Sequence, residues 1–115
     1  MAKYERSLTG HFDGFLEYLH EDITRGSISA SYEDGSQVSR GTVRIATRVY
    51  ERYSYMGGNR VSLNLTLVGE GNNLFLSAIT SGGSQAVFFK INTLGEGAFL
   101  DKLIQAVEHY IKQTS

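Results

Sequence analysis

The sequence predicts an α+β fold, a two-layer sandwich. An antiparallel sheet of about five to six strands carries an N-proximal and a C-terminal helix on one face, in the order β-α-β-β-β-β-β-α. Three observations lead there. Apolar residues recur at helical spacing near each end of the chain, the runs between them alternate with the period of a strand, and glycine-containing pairs separate those runs where hairpins need turns. The 115 residues fit one domain spanning 1–115.

The first element is a short, weakly alternating strand from Tyr4 to Leu8. Phe12, Phe15, Leu16, Leu19 and Ile23 then form one apolar helical stripe, with Asp13, Glu17, Glu21 and Asp22 on the other faces. Thr9 is the expected cap, and Gly26 the expected stop, in the left-handed conformation. Ile28, Ala30 and Tyr32 alternate with polar residues as a half-buried strand ending at the turn signal Asp34-Gly35. A long strand from about Thr42 to Tyr55 follows. Turns at Gly57-Gly58-Asn59, Gly71-Asn72 and Gly82-Gly83 separate it from three more strands. The last helix begins at Thr93, where Glu96 three residues on suggests a capping box. Its stripe is Phe99, Leu100, Leu103, Ile104, Val107, Tyr110 and Ile111.

Strand parity sharpens this outline, because a slip of one residue turns every side chain to the opposite face. The Gly57-Gly58-Asn59 loop places Tyr53 opposite Leu63 and Val49 opposite Leu67. The Gly71-Asn72 turn places Leu76 opposite Leu67 and Ala78 opposite Leu65, and the Gly82-Gly83 turn places Phe89 opposite Leu76. The expected core face is therefore Val43, Ile45, Val49, Tyr53, Leu63, Leu65, Leu67, Leu74, Leu76, Val87, Phe89 and Ile91. The second face then receives Arg44, Arg48, Tyr50, Arg52 and Asn64, next to an apolar half around Val68, Phe75, Ile79 and Phe88. Apolar surface of that kind marks interfaces.

Composition excludes several classes. There is no cysteine, so neither a disulfide nor a thiolate metal site is available, which suits a reducing compartment. The first residues hold no apolar leader, and no run of roughly 18 apolar residues exists for a membrane span. A cytoplasmic protein is expected. Net charge is −1, which gives no reason to expect a polyanionic partner. The charge is nevertheless unevenly spread. Residues 1–39 hold three basic and seven acidic side chains, residues 40–92 six and two, and residues 93–115 two and three.

No chemical constellation emerges. His11, His20 and His109 share no ligand spacing and read as surface or boundary residues. Thr80-Ser81-Gly82-Gly83-Ser84 lacks the P-loop lysine, and Gly95-Glu96-Gly97 lacks the third glycine of a dinucleotide fingerprint. These read as a hairpin turn and a helix entry. Glu51, placed by parity on the core face opposite Leu65, reads as half of a structural ion pair with a neighbouring arginine. No residue qualifies as catalytic, and neither a cofactor nor a metal is expected.

The run Val49-Tyr50-Glu51-Arg52-Tyr53-Ser54-Tyr55, its continuation from Gly57 to Leu67, and the stretch from Leu74 to Asn92 resemble a family of small uncharacterised bacterial proteins, a domain of unknown function. The resemblance spans most of the chain and implies a bacterial cytosolic protein, but no activity or functional residues. The element order is also similar to the TATA-box-binding-protein-like and helix-grip architectures, which bind nucleic acid on the sheet or apolar ligands beneath the helix. Fold alone does not transfer those functions.

The reading of the sequence is a noncatalytic binding or assembly module. Its expected partner is a second copy of itself, in the simplest case as a dimer, and not a membrane. The contact residues are Arg44, Arg48, Tyr50, Arg52, Asn64, Phe75, Ile79 and Phe88 on the exposed sheet face. Two alternatives stand beside it: a small apolar ligand between the sheet and the C-terminal helix, and nucleic acid on the arginine-bearing part of the sheet.

Overall fold

The structure is a computed structural model that describes residues 1–26, 29–54, 59–82 and 89–114. Its elements are β1 (Ala2–Thr9), α1 (Phe12–Arg25), β2 (Ser31–Arg40), β3 (Val43–Ser54), β4 (Asn59–Glu70), β5 (Asn73–Gly82) and α2 (Phe89–Thr114). All strand pairs are antiparallel, in the spatial order β1-β5-β4-β3-β2. Both helices cover one face of this open sheet, as the sequence predicts. No helix of the described residues is long and apolar enough to cross a membrane.

α1 forms where its stripe predicts. Phe12, Phe15, Leu16, Leu19 and Ile23 are all buried. Its start is capped by His11 rather than Thr9: the imidazole Nδ1 accepts from the Gly14 N–H at 3.0 Å. Gly26 ends the helix at φ −89°, outside the left-handed region expected of it. In α2, Phe99, Leu100, Leu103 and Val107 are buried while Ile104, Tyr110 and Ile111 pack against the core's edge. The helices meet through the Phe15 and Tyr110 rings, 4.8 Å apart, and through the Tyr18 hydroxyl, which donates to the Ala106 carbonyl at 2.9 Å. α2 starts earlier than predicted, so Thr93 and the Gly95-Glu96-Gly97 run lie inside it instead of at its entry.

The β4–β5 hairpin has the expected register, with Leu67 opposite Leu76 and Leu65 opposite Ala78. Its Gly71-Asn72 turn has positive φ at the glycine alone, as does the Gly41-Thr42 turn that joins β2 to β3. Glycine at the first of two turn residues is the type II′ pattern that suits strand twist. The Gly41 turn replaces the one expected at Asp34-Gly35. β2 runs straight through that pair, and the register shift between Tyr32 and Asp34 marks a bulge.

Two further expectations are corrected. β5 takes β1 as its second neighbour, so Leu76 faces Arg6 and not Phe89. Phe89 and Ile91 belong to α2, which replaces the end of the expected last strand. The β3–β4 register also differs: Tyr53 pairs with Arg60 rather than Leu63, and Leu63 pairs with Tyr50. That offset of three residues exchanges the two faces of β3. Ala46 and Tyr50 enter the core, whereas Val43, Ile45, Val49 and Tyr53 turn to the uncovered face. Ile28, Tyr55, Gly57, Gly58, Gly83, Ala86, Val87 and Phe88 lie outside the described residues.

Candidate functional site

The β3 register decides where the eight predicted contact residues stand. Arg44, Arg48, Tyr50 and Arg52 are on the helix-covered side, opposite Gly69, Leu65, Leu63 and Val61 respectively. Asn64, Phe75 and Ile79 are on the open face, as predicted. Phe88 is outside the described residues. The structure therefore divides between the two faces of the sheet the residues that the sequence reading had joined on one.

Charge contributes to this placement, because α1 supplies a carboxylate, Asp13, to Arg44 of β3. Arg44 meets Asp13 with both ends of its fork, at 2.9 and 2.8 Å, and its guanidinium lies 4.3 Å above the Phe12 ring. This paired, planar geometry is the one guanidinium groups favour. The hydrogen bonds from Arg44 hold the Asp13 carboxyl below its usual range. Beneath Phe12 the strand has no side chain at all: a Cβ on Gly69 would sit 2.6 Å from Phe12 Cδ2. Arg52 lies toward α2, with its Cζ 5.9 Å from the Phe99 ring centroid. Its buried Nη1 has no hydrogen-bond partner among the described residues.

Between α1 and the β2–β3 hairpin is a cleft of about 410 Å³ lined by Asp13, Leu16, Glu17, His20, Tyr32, Gln37 and Arg48. Asp13, Leu16, Glu17 and His20 share one face of α1, at spacings of three and four residues. Arg48 is held from three sides. Its Nη1 donates to the Thr47 and Ser36 carbonyls at 2.9 and 3.4 Å, and its Nη2 to Gln37 Oε1 at 3.2 Å. Tyr50 is fully buried beside the cleft, with its hydroxyl 2.9 Å from His20 Nδ1. Burial pushes this phenol up to about 12; Arg48 opposes the rise, while Tyr32 and Glu17 add to it. The phenol therefore stays protonated near neutrality and shares a hydrogen bond with Nδ1, whose direction follows the imidazole tautomer. Tyr32 packs edge-on against both His20 and Tyr50, at 5.5 and 5.6 Å between ring centroids.

The bulge in β2 is what brings Tyr32 here, since an extra residue re-aims its neighbours. Gly35 completes the arrangement. A Cβ there would lie 2.8 Å from both Tyr32 Oη and Arg48 Cδ, and 2.7 Å from the Thr47 carbonyl.

On the open face the strands align in rows. Val38, Ile45, Val68 and Phe75 stand side by side across β2, β3, β4 and β5, ending at Ser7 on β1. The next row is Ser36, Thr47, Thr66, Ser77 and Glu5, and the one beyond it Asp34, Val49, Asn64, Ile79 and Lys3. Val38 and Phe75 each retain 38% of their surface and Tyr53 56%. Glu51 is also here, opposite Ser62 instead of in the core, and it makes the predicted ion pair: its Oε1 lies 2.9 Å from Arg60 Nε.

A family model of unknown function, DUF6054, matches residues 1–111. The chain belongs to that family. No curated protein matches it. Among solved structures it is similar to the crystal structure of TTHA0849 from Thermus thermophilus, at 12% identity over 99% of this chain and 98% of that one, with a TM-score of 0.37.

In this DUF6054 member the residues that sequence reasoning passed over are Glu17, His20, Tyr32 and Gln37 in the cleft, and Val38, Ile45 and Val49 on the open face. One signal for them was present. The acidic residues 1–39 and the basic residues 40–92 favour laying α1 over the arginine side of β3, where Asp13 meets Arg44.

Proposed function

We propose that this protein is a noncatalytic assembly module that pairs with a second copy of itself, open face to open face. The observation that carries this reading is the symmetry of that face about its middle strand, β4. Apolar, hydroxyl and apolar residues follow one another on β5 as Phe75, Ser77 and Ile79, and on β3 as Ile45, Thr47 and Val49, in the same rows. A two-fold axis running along β4 lays β5 on the partner's β3. Phe75 then meets the partner's Ile45, Ile79 meets the partner's Val49, and Val68 meets its own copy. At the edges Lys3 comes over the partner's Asp34.

A two-fold axis across the strands fits less well, because it stacks Glu5 on the partner's Glu5 and Val68 on the partner's Asn64. Sheets that pack face to face keep their strands within about 30° of one another, so the axis along β4 describes the centre of the contact best. Size also supports the pairing. Five strands about 4.8 Å apart and roughly ten residues long, at about 3.3 Å per residue, present a face of about 800 Å². That is the contribution of each partner to a standard interface, about 800 Å².

The test is sedimentation equilibrium from low micromolar to near-millimolar concentration, on the wild type, Lys3→Asp, Asp34→Lys and the double variant. Dimerisation weakened by each single reversal and partly restored in the double variant supports the axis along β4. A wild-type chain that stays monomeric throughout overturns the reading.

A further inference from the structure

We infer that the cleft between α1 and the β2–β3 hairpin is a binding site for a small zwitterion of free amino-acid size, with its carboxylate on Arg48 and its ammonium group on Glu17. The cleft is on the helix side of the molecule, so this inference is independent of any pairing through the open face.

Four charged side chains stand at or beside the cleft, and they are satisfied unequally. Asp13 and Arg44 hold each other through two hydrogen bonds. Glu17 and Arg48 line the same cavity, and the charge of each reaches the Tyr50 phenol, with opposite effects. Neither makes an ion pair with the other or with any of the described residues. Opposite charges that share a cavity without meeting leave two complementary seats across it. A ligand carrying both charges fills both, whereas a simple anion or a simple amine meets one seat and is repelled by the other.

The anionic seat is built in advance. Three acceptors, the Thr47 and Ser36 carbonyls and Gln37 Oε1, fix the guanidinium and leave its other N–H groups for a carboxylate. In the tautomer whose Nδ1 accepts from Tyr50, His20 adds a donor at Nε2, which has no hydrogen bond among the described residues. Leu16 and the edge of Tyr32 form the apolar wall that a side chain of the ligand would follow. Tyr32 stays 45% exposed, and its ring is also available to an ammonium group. The volume of about 410 Å³ is within the range of about 300–1,000 Å³ usual for small-molecule sites. A bulge, a glycine without room for a side chain and a hydrogen bond between part-buried His20 and buried Tyr50 all act to hold these groups in place. Such support from behind is what a binding site needs and what a passive surface hollow lacks.

The experiment screens the free L-amino acids against the full chain by amide chemical-shift perturbation and isothermal titration. The best binder is then compared with its methyl ester, which lacks the carboxylate, and its N-acetyl derivative, which lacks the ammonium group. The expected result is binding that perturbs Leu16, His20, Tyr32 and Gln37 and falls at least tenfold with either blocked form, with Glu17→Gln and with Arg48→Gln. Glu17 lines the cleft but is exposed, so Glu17→Gln remains informative if Arg48→Gln unfolds. Phe75→Ser, on the other face, should bind as the wild type does. The inference is overturned if no amino acid binds at millimolar concentration. It also fails if a blocked form binds as tightly as the parent, which would make the site a plain anion or amine site, or if Glu17→Gln leaves affinity unchanged.

Discussion

Replacing Phe75 with serine removes the end of the apolar row from the open face, and the structure sets the size of the effect. Phe75 keeps 38% of its surface exposed, which for a side chain on the order of 200 Å² is about 75 Å². Hiding that area is worth about 2 kcal/mol at ~25 cal/mol per Å². A two-fold dimer uses the residue twice, so the loss approaches about 4 kcal/mol, or nearly three decades in dissociation constant. Serine keeps the Cβ, and buried area converts incompletely into affinity, so a weakening of roughly 100-fold to 1,000-fold is expected. The monomer should be little affected, because surface substitutions of this kind usually stay within about 0.5 kcal/mol. Sedimentation equilibrium measures the first quantity and urea denaturation the second. Tyr32→Ser is the control, being 45% exposed on the helix-covered face of the sheet. Equal association of Phe75→Ser and wild type, or equal weakening by Tyr32→Ser, would refute the assignment of the open face.

Three predictions concern the layer beneath the helices. Gly69→Ala drives a methyl group to 2.6 Å from Phe12 Cδ2; overpacking costs about 1–3 kcal/mol, offset by about 0.5–1 kcal/mol from removing a strand glycine. A Tm lower by roughly 5 °C is expected, and an unchanged or higher Tm in calorimetry would contradict the close approach. Glu108 accepts from Tyr4 at 2.6 Å and from Arg6 at 2.8 Å, and these bonds, the arginine's first, hold its carboxyl below the usual range. The stabilisation is present above the unfolded pKa and is lost as pH falls through the folded one. Urea midpoints should therefore drop below about pH 4.5 more steeply for the wild type than for Glu108→Gln, and parallel curves would show the cluster to be inert. Tyr50 titrates at about 12 in the fold, against an ordinary value of 10.0. The stability it confers holds below pH 10 and is lost as pH rises toward 12. Tyr50→Phe should flatten that alkaline decline in part, since Tyr4 is also pushed up to about 12, and should cost about 1 kcal/mol at neutral pH for the hydrogen bond to His20. A decline identical to that of the wild type would remove Tyr50 from the account.

What the sequence made legible, and what it did not, divides along the strength of the local signal. Both helix stripes were readable because five and seven apolar residues repeat at a spacing that only a helix satisfies. β4 and β5 were readable because Leu63, Leu65, Leu67, Leu74 and Leu76 alternate cleanly with polar neighbours. β3 was ambiguous, since Ile45 and Val49 on one side compete with Ala46 and Tyr50 on the other, and apolar matching across a glycine loop chose the wrong set. Asp34-Gly35 looked like a turn because a bulge uses the same residues. β1 was seen as a strand, but nothing local identifies β5 as its partner.

Once the faces of β3 are exchanged, the residues that would carry pairing through the open face change with them. With Arg44, Arg48 and Arg52 outward, the open face would repel a second copy and attract a polyanion. With them inward, Asp13 of α1 pairs with Arg44 and a polar cleft opens beside Tyr50. In the three rows described above, the central strands β3, β4 and β5 then carry only valine, isoleucine, phenylalanine and hydroxyl residues, apart from Asn64. The same register that removes the reason to expect nucleic acid on the sheet thus makes the sheet compatible with its own copy, and it accounts for both the candidate interface and the candidate cleft.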